Sequence, residues 1–171
     1  MRCILRRHEL IPDEWRYLGE DEGAPCAPEA LIVPLAQLLR ESGNGTSGPR
    51  RLGVRVSPSD DVDELAPHLE RLALVAVEFP SPLEGRGYSQ GCVLRERLGF
   101  GGELRAIGAG VRQDQLLLLA RCGFDAFELA PGEDLEAARR AFSRYDVAYH
   151  PGSAEPALQQ QRFARASAPV R

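Results

Sequence analysis

The chain has 171 residues, a formal net charge of -4, 43% hydrophobic and 27% charged side chains. Such a composition belongs to an ordinary globular protein with enough chain to bury a core. It argues against a general nucleic-acid binder, which needs a concentrated basic surface, and no apolar run is long enough to span a bilayer. The N-terminal M-R-C-I-L-R-R-H-E lacks the apolar core of a signal peptide, so a cytoplasmic protein is expected.

All 21 basic residues are arginine. With no lysine, a Schiff base and a P-loop lysine are excluded, and an anion must be held by guanidinium or backbone N–H groups. The four cysteines, Cys3, Cys26, Cys92 and Cys122, form no C-x-x-C pair and have no histidine at ligand spacing. Neither a metal site nor an iron–sulfur cluster is expected, and the identity of any cofactor is not set by the sequence.

In chain order, residues 1–20 read as a small hairpin, with C-I-L-R-R and W-R-Y-L on either side of Ile11 to Glu14. Residues 23–28 are loop. A short apolar run at 31–33 leads to Pro34, which suits the first turn of a helix over 35–41. Residues 42–49 are turn-rich. A βα rhythm begins at Arg51. Strands are expected at 52–56, 74–79, 104–107, 125–129 and 146–149. Helices are expected from the Ser59-Asp60-Asp61 cap to about Arg71, then at 88–98, 111–121 and 134–142. The organisation is an N-terminal hairpin, short helix and loop (1–50), a βα core (51–150) and a disordered tail (151–171).

The fold class is therefore α/β, a mostly parallel sheet of βα units with the small N-terminal hairpin. Five core strands fit either an open sheet or a partial TIM-like barrel.

Gly85, Arg86, Gly87, Tyr88 and Ser89 lie between a strand end and a helix start, where glycine admits a ligand closely and Arg86 adds a positive fork. Gly108 and Gly110 form a second such loop, which parallel pairing puts on the same sheet edge. Gln115 joins them as a ligand contact, and Arg105 shares a strand face with Glu103 and Ile107. Catalytic candidates are Asp114 at a helix start, Glu78 at a strand end and Tyr88. Each has a plain reading: glycine turns are common, Ser89 can cap its helix, Asp114 suits a helix dipole, and Glu103 with Arg105 can be a local ion pair. Arg95 and Arg97 read best as a solvated face, and Cys122 as a core cysteine. Glu128 ends a strand, but no acid–base pair with Glu78 is assigned.

The stretches E-F-P, G-R-G-Y-S, L-R-E-R-L-G-F-G-G-E-L-R-A-I-G, D-Q-L and C-G-F-D-A-F-E-L resemble the bacterial domain of unknown function 934, over about Asp13 to Tyr149. D-E-W, V-P-L and L-G-V-R extend the resemblance more loosely. It implies an association with assimilatory sulfite reductase genes, whose neighbours of this type carry an oxidoreductase label inferred from position. The chain departs from the family pattern at Glu84, where an aspartate is usual, and at Ala109, where a polar or acidic residue is usual. The expectation that follows is an accessory protein of sulfite reduction that binds a small anion or acidic cofactor at its glycine–arginine loops, with sulfite reductase as a partner. The alternatives are an independent partial-barrel enzyme acting on a phosphorylated or sulfated small molecule, and a non-catalytic docking protein for the reductase.

Overall fold

The computed structural model describes residues 3–6, 9–19, 30–41 and 51–141. The loops expected at 23–28 and 42–49, the strand at 146–149 and the tail from 151 lie outside the described residues.

Eight strands follow one another in the chain: β1 (Cys3–Arg6), β2 (Glu9–Pro12), β3 (Arg16–Tyr17), β4 (Ala30–Pro34), β5 (Arg51–Val56), β6 (Leu72–Glu78), β7 (Glu103–Ile107) and β8 (Ala126–Phe127). They form one sheet in the order β2-β1-β8-β7-β6-β5-β4-β3. From β3 to β8 all neighbours are parallel and in sequence order. The β1–β2 hairpin is antiparallel and pairs antiparallel with β8. This is a half barrel of βα units, the partial-barrel branch of the expectation.

The second hairpin strand is E-L-I-P, with Cys3 opposite Pro12, and not the W-R-Y-L run. That run becomes β3 and pairs with β4 at the opposite edge of the sheet. Proline lacks an N–H for a further ladder bond, which suits the end of β2.

The helices are α1 (Leu35–Glu41), a 3₁₀ helix (Val62–Arg71), α2 (Arg86–Cys92), α3 (Leu116–Arg121) and α4 (Leu135–Ala141). The helix expected after Asp61 is present, with the Asp61 side chain accepting from the Asp63 N–H, but Pro67 lies inside it. A proline cannot donate an interior α-helical bond, and the segment winds as 3₁₀ throughout. The helix expected from Val111 begins at Leu116, because the preceding residues form turns: the Val111 N–H donates to Gly108 O and the Gln115 N–H to Arg112 O.

Alternation along the strands sorts the two faces. Leu31, Val33, Val54, Val56, Val75, Val77, Leu104, Ala106 and Phe127 join the main core, which includes Leu94, Leu116 and Leu119 from the helical segments. The opposite, concave face carries a smaller cluster of Trp15, Ala30, Ile32, Leu74, Ala76 and Ile107.

Candidate functional site

The concave face is closed at the N-terminal ends of the parallel strands by residues 13–15, which link the outer hairpin strand to β3 at the opposite edge. Trp15 fits because β5 offers Gly53 beneath it. A β-carbon there would lie 3.1 Å from the indole, tighter than ordinary contact. The Arg51 guanidinium lies 4.7 Å from the ring centroid and covers the indole from outside. Asp13 turns inward to Arg105 of β7, with Oδ1 2.9 Å from Nη1.

Arg105 is wholly buried. Its Nε and Nη2 donate to Glu103 Oε1 at 3.0 and 2.8 Å, and the Asp13 and Glu103 side chains are themselves only 1% and 8% exposed. Burial alone would lower the guanidinium pKa, but Tyr17, Glu103 and Asp13 outweigh it and raise it. The local ion-pair reading of Glu103 and Arg105 is what the geometry displays, with Asp13 as an unforeseen third member. Arg105 ties Asp13 of the closing segment to Glu103 of β7, and the three together form part of the lining of a cavity of about 290 Å³.

A polar chain continues from this cluster. Arg105 is also hydrogen-bonded to the Tyr17 hydroxyl, which donates in turn to Glu128 Oε2 at 3.1 Å. Guanidinium has no acceptor, so the phenol oxygen accepts from Arg105 and its single proton is directed at Glu128. Burial first, and then Glu128, raise the Tyr17 pKa well above its ordinary value. The hydroxyl is therefore a fixed donor near neutral pH.

Glu128 follows β8, and Glu78 ends β6 with Ile107 as its register partner. Arg55 lies on β5 opposite Ala76, on the same concave face. Glu78, Arg55, Tyr17 and Glu128 are each half-buried. Glu78 and Glu128 stand at the carboxyl-terminal ends of β6 and β8, where parallel α/β proteins place ligands, while Arg55 is in register with Ala76 and Arg105 one inward position earlier, and Tyr17 reaches Glu128 through its hydroxyl. Glu78 makes no ion pair or side-chain hydrogen bond with the other described residues.

The two glycine loops do meet at this mouth. The Gly110 N–H donates to Phe79 O at 2.8 Å, and the Gln115 side chain donates to Pro82 O at 3.3 Å. The glycines serve close packing within the protein. Gly108 has φ +105°, and a β-carbon on it would lie 2.6 Å from Phe79 O; one on Gly110 would lie 2.5 Å from Ser81 O. At Gly87 a β-carbon would lie 2.5 Å from the Phe79 ring, so this glycine seats α2 on the sheet. Gly85 is the open one, with nothing within 4 Å.

Arg86 is exposed on the rim, and Glu84 takes both its amide and its Nε, each at 3.1 Å. The acid at position 84 thus occupies the start of α2 itself. Ser89 lies inside α2 and is exposed, while Gly85 stands at the cap. Tyr88 packs edge-on against Phe79, ring centroids 5.2 Å apart, in the layer between sheet and helices. Burial, then Cys122 and Asp114, raise its pKa. The catalytic candidates therefore separate, with Glu78 on the concave face and Tyr88 with Asp114 on the helical side.

Arg95 is not on a solvated face. The α2 helix runs into a π turn (Val93–Arg97), closed by the Leu98 N–H to Val93 O bond. From this turn Arg95 donates to Gly123 O at 2.8 Å, to Gly102 O at 2.9 Å, to Phe100 O and to Asp125. Arg97 is exposed and pairs with Asp63. Two pockets, of about 290 and 320 Å³, open at the amino-terminal ends of the strands, and Arg6, Arg51 and Glu103 line both.

Tyr17, Asp13 and Arg55 were not visible as site residues in the sequence. Tyr17 belongs to a two-residue strand with no periodicity, and its partner is 111 positions away. Arg55 had a signal, a charge inside an otherwise apolar parallel strand. Among the described residues, no group of three or more His, Cys, Asp or Glu is placed to hold a metal ion, and no helix is long and apolar enough to cross a membrane.

The family model described as bacterial protein of unknown function (DUF934) matches residues 53–158. No curated protein matches the chain.

Proposed function

The chain belongs to the DUF934 family of bacterial proteins, and from that premise we propose that it binds a small anionic ligand at the carboxyl-terminal mouth of its half barrel, in support of assimilatory sulfite reduction. One observation carries the site assignment. The concave face is filled by Trp15, Ile32, Leu74 and Ala76, its buried Arg105 is neutralised from within, and further polar groups gather where the strands end. In this reading Arg55 grips the anionic group, Tyr17 orients Glu128, and Glu78 takes or gives a proton. The Gly85–Arg86 and Gly108–Gly110 loops form the rim, and Arg86 contributes little because Glu84 already holds it. The pathway rests on the family resemblance.

Titration of the full chain with sulfite, sulfate and phosphate, followed by calorimetry, tests the site. One of these anions is expected to bind, with Arg55→Ala weakening it about tenfold or more, the loss of a charge-assisted bond. Absence of binding to all three, or equal binding by Arg55→Ala, rejects the assignment. Growth of a deletion strain tests the pathway: failure on sulfate and sulfite with rescue by sulfide supports it, and normal growth on sulfate removes it.

A second reading, a docking protein for sulfite reductase, is favoured by Leu83, which is 97% exposed beside Pro82. Leu83→Asp that abolishes association with the reductase, while anion binding persists, would move the weight to docking.

A further inference from the structure

Cys92 closes α2, and Cys122 caps the end of α3. The sequence gives no reason to pair them, since 29 residues intervene without any metal or redox spacing. The fold brings the two helix ends together, and the Cys122 thiol is hydrogen-bonded to Cys92. Gly91 admits the approach: a β-carbon at that position would lie 2.5 Å from the Phe124 ring and 3.3 Å from the Cys122 carbonyl oxygen. Both sulfurs are free thiols and both residues are half-buried, so the pair is neither sealed in the core nor fully open to solvent.

We propose that Cys92 and Cys122 form a reversible dithiol–disulfide pair, a redox site that takes a low-molecular-weight disulfide as its oxidant. Cys92 is the attacking thiol. Its sulfur bonds to one sulfur of the small disulfide, the disulfide bond breaks, and the first small thiol leaves with the proton from Cys92. Cys122 then attacks the Cys92 sulfur, the mixed disulfide breaks, and the second small thiol leaves with the Cys122 proton. Two electrons and two protons pass to the oxidant, which becomes two thiols, and the protein gains one intramolecular disulfide.

Both thiols lie at the carboxyl ends of their helices, where the backbone dipole disfavours a thiolate. Burial, reinforced by Cys92, pushes the Cys122 thiol up to about 12. Cys122 is given the resolving step, and trapping of Cys92 in Cys122→Ser distinguishes this order from the reverse. The disulfide would tie the end of α2 to the end of α3, the helices that follow the two rim loops, and so brace the mouth of the half barrel. The site is separate from the proposed anion site and stands or falls independently of it.

The test equilibrates the full chain anaerobically with mixtures of reduced and oxidised glutathione, quenches with acid, alkylates and maps the peptides. A Cys92–Cys122 linked peptide is expected, its fraction tracking the glutathione ratio, disappearing with dithiothreitol, and forming faster as pH rises. Cys122→Ser is expected to leave Cys92 as a mixed disulfide with glutathione. Alkylation of both residues at every ratio overturns the proposal, as does linkage to Cys3 or Cys26 that forms as readily as the Cys92–Cys122 link.

Discussion

Tyr17 and Glu128 are 111 residues apart in sequence, and their side chains meet at 3.1 Å. They belong to β3 and to the end of β8, five strand steps apart in the sheet. In a flat sheet five steps span about 24 Å, well beyond the reach of a tyrosine and a glutamate together. The contact is thus a direct reading of curvature. It also fixes the direction of a proton, because Arg105 supplies the other hydrogen bond to the phenol and can only donate.

Tyr17→Phe is expected to destabilise the protein by about 1–3 kcal/mol, the cost of leaving a half-buried carboxylate and a buried guanidinium each short of one partner. Urea denaturation at pH 7 reads it. An unchanged midpoint would mean that water or a shifted Glu128 replaces the hydroxyl.

The same phenol sets an alkaline limit. Its pKa in the folded chain is raised above the ordinary 10.0, by burial first. Below pH 10 both folded and unfolded states keep the proton, and the contribution is intact. Above pH 10 the unfolded state ionises while the folded state cannot, so stability falls as pH rises through that window. Tyr88 is shifted the same way and adds to the slope. Denaturation midpoints from pH 8 to 11 should show a steeper decline for the parent chain than for Tyr17→Phe.

At Arg105 the expected loss is larger. Arg105→Met takes the buried guanidinium away from Asp13 and leaves Glu103 with the half-exposed Arg6, 3.6 Å from its Oε2. Breaking one partner out of a buried cluster costs about 3–5 kcal/mol. The triple change Asp13→Asn, Glu103→Gln, Arg105→Met removes all three charges and should lose less than the single change. If the triple is the less stable of the two, the cluster acts through its shape more than through its charges.

Much of this architecture is legible in the chain. The strands at β5, β6 and β7 announce themselves as apolar runs bounded by glycine, proline or a cap, and the two glycine loops do converge at one sheet edge. Curvature is not legible, because it depends on Trp15 settling over Gly53 and on a two-residue strand that carries no period. Tyr17 and Asp13 are missed for the same reason, since their partners lie about a hundred positions away, whereas Glu78, Glu103, Arg105 and Glu128 stand out in the sequence. Arg95 misleads in a different way. Its alternation with Glu96 and Arg97 looks like a solvated surface, but one π turn adds a residue to the winding and swings it under the neighbouring loop.

The glycines of α2 separate packing from ligand access. Gly87→Ala would force a β-carbon to 2.5 Å from Phe79, and helix or ring must move, at about 1–3 kcal/mol. Gly85→Ala meets open space with φ -98° and should stay within about 0.5 kcal/mol. A loss of anion binding in Gly85→Ala with unchanged stability would bring the rim loop back as the binding element. Unchanged binding leaves the concave face as the site.

Arg86 and Arg95 make a sharper pair, because the sequence ranks them one way and the structure ranks them the other. Arg86 is 68% exposed, with a carboxylate two residues away as its partner, and such a pair contributes about 0–1 kcal/mol. Arg95 is 16% exposed and ties the carbonyls of Gly123, Phe100 and Gly102 to Asp125, joining the segments before β7 and before β8. Asp125 also accepts the Leu104 N–H at 3.0 Å, so the network anchors the start of β7. Arg95→Ala removes four donated bonds and leaves buried carbonyls without partners, a loss of at least about 3 kcal/mol. Thermal denaturation of the two alanine variants beside the parent decides the ranking. A small change for Arg86→Ala with a large one for Arg95→Ala is the expected result. Equal small changes would mean that water reaches the carbonyls beneath Arg95, and would return that arginine to the surface role its sequence neighbourhood suggests.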